Sequence, residues 1–196
     1  VLRGGVLALM LATALGTAMR AHDGADTVVE AARAGDVDAV RVLLKRGGDV
    51  NQAQGDGMTA LHFAAQAGQV ELVQMLLSAG ANVRATTRLG GYTPLHLASL
   101  GGHASAVAAL IASGASAESR TATGASALML AARSGSVDTV NRLIENGAPV
   151  NAADSANGQT ALMVAAGLDR ADVVRALVAR GAQTSLASTV VNLAKL

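Results

Sequence analysis

The stretch Asp56-Gly-Met-Thr-Ala-Leu-His-Phe-Ala-Ala-Gln-Ala-Gly68 returns one period later as Gly90-Gly-Tyr-Thr-Pro-Leu-His-Leu-Ala-Ser-Leu-Gly-Gly102. Fainter copies run Thr123-Gly-Ala-Ser-Ala-Leu-Met-Leu-Ala-Ala132 and Asn157-Gly-Gln-Thr-Ala-Leu-Met-Val-Ala-Ala166. Glycines close successive copies at Gly47, Gly80, Gly114, Gly147 and Gly181, at intervals of 33, 34, 33 and 34 residues. A fixed period in this range predicts a stack of small units, each covering its neighbour, in place of one globular core. An array of this kind offers an extended surface, which narrows the function to molecular recognition without naming the partner.

Each copy reads as two short helices and a return loop. In the second unit Thr59 is placed to cap a helix running through Ala67, because its hydroxyl can accept from amides two or three residues on. Gly68 ends that helix with a left-handed residue. Gln69 to Ser78 reads as a second helix with Val70, Val73, Leu76 and Leu77 on one face, and Gly80 terminates it. Leu95, Leu97 and Ala98 repeat Leu61, Phe63 and Ala64, and Leu110 and Ile111 repeat Leu76 and Leu77. The same places hold Leu128, Leu130, Ala131, Leu143 and Ile144, then Leu162, Val164, Ala165, Leu177 and Val178. A degenerate first unit, from about Asp23 to Asn51, carries Asp23, Asp26, Glu30 and Arg33, as a unit whose outer face meets water requires.

Thr93-Pro94-Leu95-His96, Leu97-Ala98, Gly102-His103 and Gly80-Ala81-Asn82-Val83 give the chain its resemblance to the ankyrin repeat family, over about Asp23 to Gln183. The resemblance implies an all-α solenoid of helix-turn-helix units joined by short β-hairpin loops, about five in number. Their expected extents are 22–53, 54–86, 87–120, 121–153 and 154–187, with 1–21 a leader and 188–196 the start of a further segment. It also implies that His62 and His96 tie neighbouring turns together by hydrogen bonds. Met129 and Met163 replace that histidine in the last two units. Asp169 stands where Gly68 and Gly135 stand, so a reshaped turn is expected there. The two longer intervals put one extra residue in the hairpins before Tyr92 and before Gln159.

In stacks of this family partners meet the hairpin tips and the exposed, concave face of the first helices. The corresponding candidates at the tips are Met58, Arg88, Leu89, Tyr92 and Gln159. Those near the ends of first helices are Gln66, Leu100, Arg133 and Leu168, with Arg33 in the first unit. Tyr92, the only tyrosine, lies close to Arg88 and Leu89 in a combination rich in hot-spot residue types. The competing reading is that Tyr92 packs across its own hairpin. The expected partner is a protein, and the expected state is monomeric.

Composition argues against other classes. With 15 basic and 14 acidic residues and no basic run, the chain lacks the face of a phosphate-tracking nucleic-acid binder. One Tyr, one Phe and no Trp leave nothing for a base-stacking platform. Cysteine is absent, so disulfide and thiolate chemistry are excluded. His62 and His96 fall at equivalent places in successive units, and no His/Asp/Glu spacing suggests the three or four ligands of a zinc site. No Gly-x-Ser-x-Gly elbow or Gly-x-x-x-x-Gly-Lys loop is present. Ser126 and Ser136 are better placed as helix caps than as nucleophiles. No cofactor, metal or catalytic residue is expected.

The two ends differ from the array. Arg3, the apolar run Val6–Leu15 and the small residues Gly16-Thr17-Ala18 have the layout of a secretory signal, with cleavage expected after Ala18. The alternatives are an uncleaved anchor and a hydrophobic cap on the first unit. A periplasmic or secreted bacterial protein is expected over a cytoplasmic one, from the leader and the Ala-rich, aromatic-poor composition. Beyond Gly181 the pattern lapses, and a continuation of the chain past Leu196 is expected, with a fold-back of Val190, Val191, Leu193 and Leu196 as the alternative. Two further readings follow: the targeting half of a larger enzyme or receptor, and a membrane-anchored adaptor.

Overall fold

The computed structural model describes residues 26–185; the leader and the apolar C-terminal segment lie outside the described residues. Ten helices form five pairs: α1 (Val28–Ala34) with α2 (Val37–Lys45), α3 (Ala60–Gln66) with α4 (Val70–Ser78), α5 (Pro94–Leu100) with α6 (Ala104–Ala112), α7 (Ala127–Ser134) with α8 (Val137–Glu145), and α9 (Ala161–Gly167) with α10 (Ala171–Ala179). Helices of seven to nine residues are too short to persist alone in water. They persist here because the first helices pack side by side in one row and the second helices in another, with the core between the rows. Leu61, Leu72, Leu76, Leu95, Leu110, Leu128, Leu143 and Leu177 are fully buried in that layer. Alanines such as Ala64, Ala98, Ala131 and Ala165 are also buried and let the first helices approach closely. This is how a chain with almost no aromatic residues fills its interior.

The starts of the first helices follow the sequence. Thr93, Ser126 and Thr160 accept from the amides of His96, Met129 and Met163 at 3.3, 3.2 and 3.4 Å, and Thr27 serves α1 in the same way. Each hydroxyl satisfies an amide that the helix itself cannot pair. Ser136 caps α8 through the amide of Thr139, a structural role for that serine.

The turns between paired helices stack on one another. Gly35, Gly68, Gly102 and Gly135 all have positive φ, between 67° and 84°. Over each lies a side chain from the next unit: Gln69, His103, Ser136 and Arg170 in order. A β-carbon on Gly68 would come within 2.5 Å of the His103 ring, so this glycine is required for space as well as for conformation. The fifth turn corrects the expectation of a reshaped loop. Asp169 adopts φ 55°, the only positive φ among the described non-glycine residues. Its turn bonds, Asp169 N–H to Ala166 O at 3.2 Å and Arg170 N–H to Ala165 O at 2.9 Å, match Gly68 to Ala65 and Gln69 to Ala64. A short polar side chain tolerates the left-handed region, so the backbone is kept and some strain is accepted.

The hairpins show where the alternating period comes from. Gln54 and Thr121 close their loops on the residue four positions on, Met58 and Ala125, whereas Thr87 and Asp154 close on the residue five positions on, Tyr92 and Gln159. The extra residue is thus absorbed at the tip, and the helices keep their register. Regular strands do not form among the described residues; only the isolated bridges Ala53–Thr59 and Arg120–Ser126 do. The arms are too short to extend a ladder, and some tip groups instead pair with the next hairpin: Arg88 N–H with Asp56 O and Ala122 N–H with Gly90 O, both at 2.8 Å.

Candidate partner-binding face

The candidate face is built on a row of buried side chains that hold successive hairpins in place. In α3 and α5 the third residue is a histidine, His62 or His96, both 0% exposed. Nδ1 of each accepts the cap amide, Thr59 N–H at 3.1 Å and Thr93 N–H at 3.0 Å. An amide only donates, so Nδ1 carries no proton and Nε2 does. Nε2 then donates to the following hairpin, to Tyr92 O at 3.0 Å from His62 and to Ser119 O at 3.1 Å from His96. Burial holds both imidazoles below the usual histidine pKa, against the opposing pull of the carbonyls they donate to. The Ser119 hydroxyl lies 3.4 Å from Nε2 of His96. That nitrogen already bears its proton, so the pair is not arranged as nucleophile and base. In α7 the thioether of Met129 takes the amide of Ser126 at 3.5 Å, doing half of what the histidine does. His103 reaches back across the turn to Gln66 O at 3.0 Å.

Against this backing the sequence candidates fall in two groups. Met58, Arg88, Leu89, Tyr92 and Gln159 lie on the hairpins, and Gln66, Leu100, Arg133 and Leu168 lie at or just beyond the ends of first helices. Leu89 is the most exposed large apolar residue among those described, at 82%, with Leu168 at 46% and Leu100 at 38%. Gln66, Arg88 and Arg133 are exposed, while Met58 and Gln159 are half-buried. Of the two readings open for Tyr92, packing is the one the geometry favours: it is half-buried, its ring folded over Gly90 and set edge-on to His96 at 6.3 Å between centroids. Its reading as a packing residue of its own hairpin therefore gains, and Leu89 takes over as the side chain presented at that tip. The loop that presents it is held by Thr87, whose hydroxyl donates to Leu89 O at 2.7 Å and accepts from Tyr92 N–H at 3.0 Å.

Several supporting residues escape a reading of the sequence. Asp56 and Asp154 fold their tips by accepting amides two residues on, from Met58 and Ala156. Arg120 spans two hairpins, donating to Gly124 O and Ala153 O at 2.9 Å each. Asn51 donates to Gly80 O at 3.2 Å and accepts from Asn82 N–H at 2.7 Å, and Asn151 does the same to Gly181 O and from Gln183 N–H. The recurrence of asparagine four places after Gly47 and Gly147 was the available signal for these last two. Arg84 and Glu118 occupy the equivalent places in the middle of the stack.

On the opposite side the second helices leave a shallow groove of about 380 Å³ between α4 and α6, lined by Gln74, Leu77, Ser78, Ala109, Ala112 and Ser113. Among the described residues no three His, Asp or Glu side chains gather as a metal site, and no helix is long and apolar enough to cross a membrane.

The paired helices, left-handed turns and stacked hairpins agree with comparison to known families. Three overlapping matches to the family described as Ankyrin repeats (3 copies) cover residues 5–87, 28–121 and 95–188. No curated protein matches the chain. Units of this kind are generally protein–protein interaction modules and typically non-catalytic. With most of its length covered by these matches and its helices stacked as five such pairs, the chain belongs to the ankyrin repeat family.

Proposed function

We propose that this chain is a non-enzymatic, monomeric scaffold that binds a protein partner through its hairpin tips and the exposed ends of its first helices, the concave face of such stacks. The observation that carries this reading is the distribution of exposed large apolar side chains. Five are exposed among the described residues, and Val42 and Val178 belong to second helices of the two outermost units. The middle three units expose only Leu89 and Leu100, both on the candidate face. An exposed leucine on an ordered loop offers apolar area at little ordering cost, which favours association. The tip bearing Leu89 is pinned by Thr87 and by the bond from Arg88 to Asp56, so it is presented in one shape.

The test is capture from a periplasmic extract by the parent chain and by Leu89→Glu, Leu100→Glu. Both substitutions are at exposed positions, so the helical signal is expected to remain. Retention of a protein by the parent alone supports the face; equal retention by both chains refutes it. We place the protein outside the cytoplasm on the strength of residues 1–21. Amino-terminal sequencing of exported material is expected to start after Ala18, and a start at or before Arg3 would refute a cleaved signal.

A further inference from the structure

The charges of the stack are sorted between its two rows of helices. Among the described residues the second helices carry every helical carboxylate but one: Asp38, Glu71, Asp138, Glu145 and Asp172. The first helices carry only three charges, Glu30, Arg33 and Arg133. Glu30 stays at the start of α1, where its carboxylate accepts from the Thr27 hydroxyl at 3.0 Å. Arg33 and Arg133 stand two residues before the turn glycines Gly35 and Gly135, as Gln66 and Leu100 stand before Gly68 and Gly102. All four are exposed. The row along the first helices therefore runs arginine, glutamine, leucine, arginine, and Arg88 adds a third cation beside Leu89 at a hairpin tip.

These three arginines are uncommitted. The ion pairs between described residues use Arg41, Arg175 and Arg180, and none uses Arg33, Arg88 or Arg133. The tip carboxylates are engaged locally: Asp56 accepts the amide of Met58, and Asp154 those of Ala156 and Asn157. Helices packed side by side lie about 8–10 Å apart, which puts Arg33 and Arg133, three helices apart, about 24–30 Å from each other. A helix of about 16–20 residues spans that distance. Guanidinium forks match carboxylates, and the leucines between them match apolar side chains. A phosphate backbone would gain nothing from those leucines.

We propose that the partner segment bound here is acidic at both ends and apolar between, with carboxylates on Arg33 and Arg133 and apolar side chains on Leu89 and Leu100. This rests on the partner-binding reading of the same face. The probe is a labelled peptide of about 18 residues with glutamates at both ends and leucines at its centre, followed by fluorescence anisotropy. The parent chain is expected to bind it about tenfold or more tightly than a counterpart with lysine for glutamate. Arg33→Glu, Arg133→Glu is expected to lose that preference, whereas Arg142→Glu, on the second helix α8, is expected to keep it. Equal binding of the two peptides, no binding of the acidic one, or an equal loss in Arg142→Glu would overturn the proposal. Tighter binding of a single-stranded oligonucleotide would overturn it in favour of a phosphate partner. Capture from the extract separates this class from the face itself. A protein kept by the arginine variant but lost by Leu89→Glu, Leu100→Glu would overturn the acidic class alone, and a protein kept by both would refute the face.

Discussion

Gly68→Ala isolates what one stacked turn contributes. The residue has φ 67°, and an added β-carbon would stand 2.5 to 2.8 Å from atoms of the His103 ring. The left-handed conformation alone costs about 1–2 kcal/mol for a residue with a β-carbon. Moving the imidazole aside also loses its 3.0 Å bond to Gln66 O, worth about 0.5–1.5 kcal/mol. The expected loss is therefore about 1.5–3.5 kcal/mol. Gly80→Ala is the matched control, since Gly80 has φ 87° but nothing within 4 Å of its added β-carbon. It is expected to cost only the conformational part. Urea unfolding followed by far-ultraviolet circular dichroism measures both, and His103→Ala completes a double-mutant cycle. The reasoning is refuted if the two alanine variants cost the same, or if Gly68→Ala costs as much without His103 as with it.

Three further outcomes follow. His62 and His96 are held neutral when folded, with pKa values below the ordinary one. The unfolded chain therefore takes up their protons first as pH falls through about 6.5. Stability is expected to be flat above that pH and to decline below it, toward the lowered folded values, by up to about 1.4 kcal/mol per pH unit for each histidine. Denaturant midpoints between about pH 7.5 and 5 check this, and His62→Met, His96→Met should flatten the slope; an unchanged slope would refute the assignment. Leu95→Ala, at a residue 1% exposed, is expected to cost about 2–5 kcal/mol. Leu89→Ala, at one 82% exposed, should stay within about 0.5 kcal/mol, and comparable losses in the two would contradict the burial pattern. Asp169→Gly is expected to raise stability by on the order of 1 kcal/mol through relief of the left-handed strain, and a loss in thermal unfolding would mean that the carboxylate is doing something the backbone does not reveal.

Periodicity made the helices legible, because burial in a stack is set by position within the repeat and recurs with it. Leu61, Leu95 and Leu128 could be placed in the core from their shared place after the cap, and the 34-residue spacings located the extra tip residue before Tyr92 and Gln159. The candidate face was legible only as a set of positions. Tyr92 stays open between solvent and its own hairpin at the level of sequence, because one position does not tell which way a hairpin ring folds, and Gly90, lacking a side chain, gives the ring somewhere to lie. The turn at Asp169 was expected to change because the residue changed. The bonds to Ala165 and Ala166 hold the backbone to the repeat's geometry and override the local preference. Arg120 and the two clamping asparagines act across units, so no window within one copy reveals their partners, and Thr87 acts on a single loop whose fold its sequence leaves open.

The stitches between units are not alike along the stack, and this divides its joints by chemistry. The outer joints are crossed by exposed ion pairs, Arg41 with Glu71 at 3.1 Å and Arg180 with Glu145 at 3.0 Å, and by the clamps of Asn51 and Asn151. The central joints carry the buried, neutral imidazoles of His62 and His96. Dissolved salt screens the two ion pairs but neither the neutral asparagine clamps nor the imidazoles, whereas mild acid acts on the imidazoles. Ionic strength therefore weakens one contact at each outer joint of the described stack, and acidity acts on its central joints, where Leu89 and Leu100 are displayed.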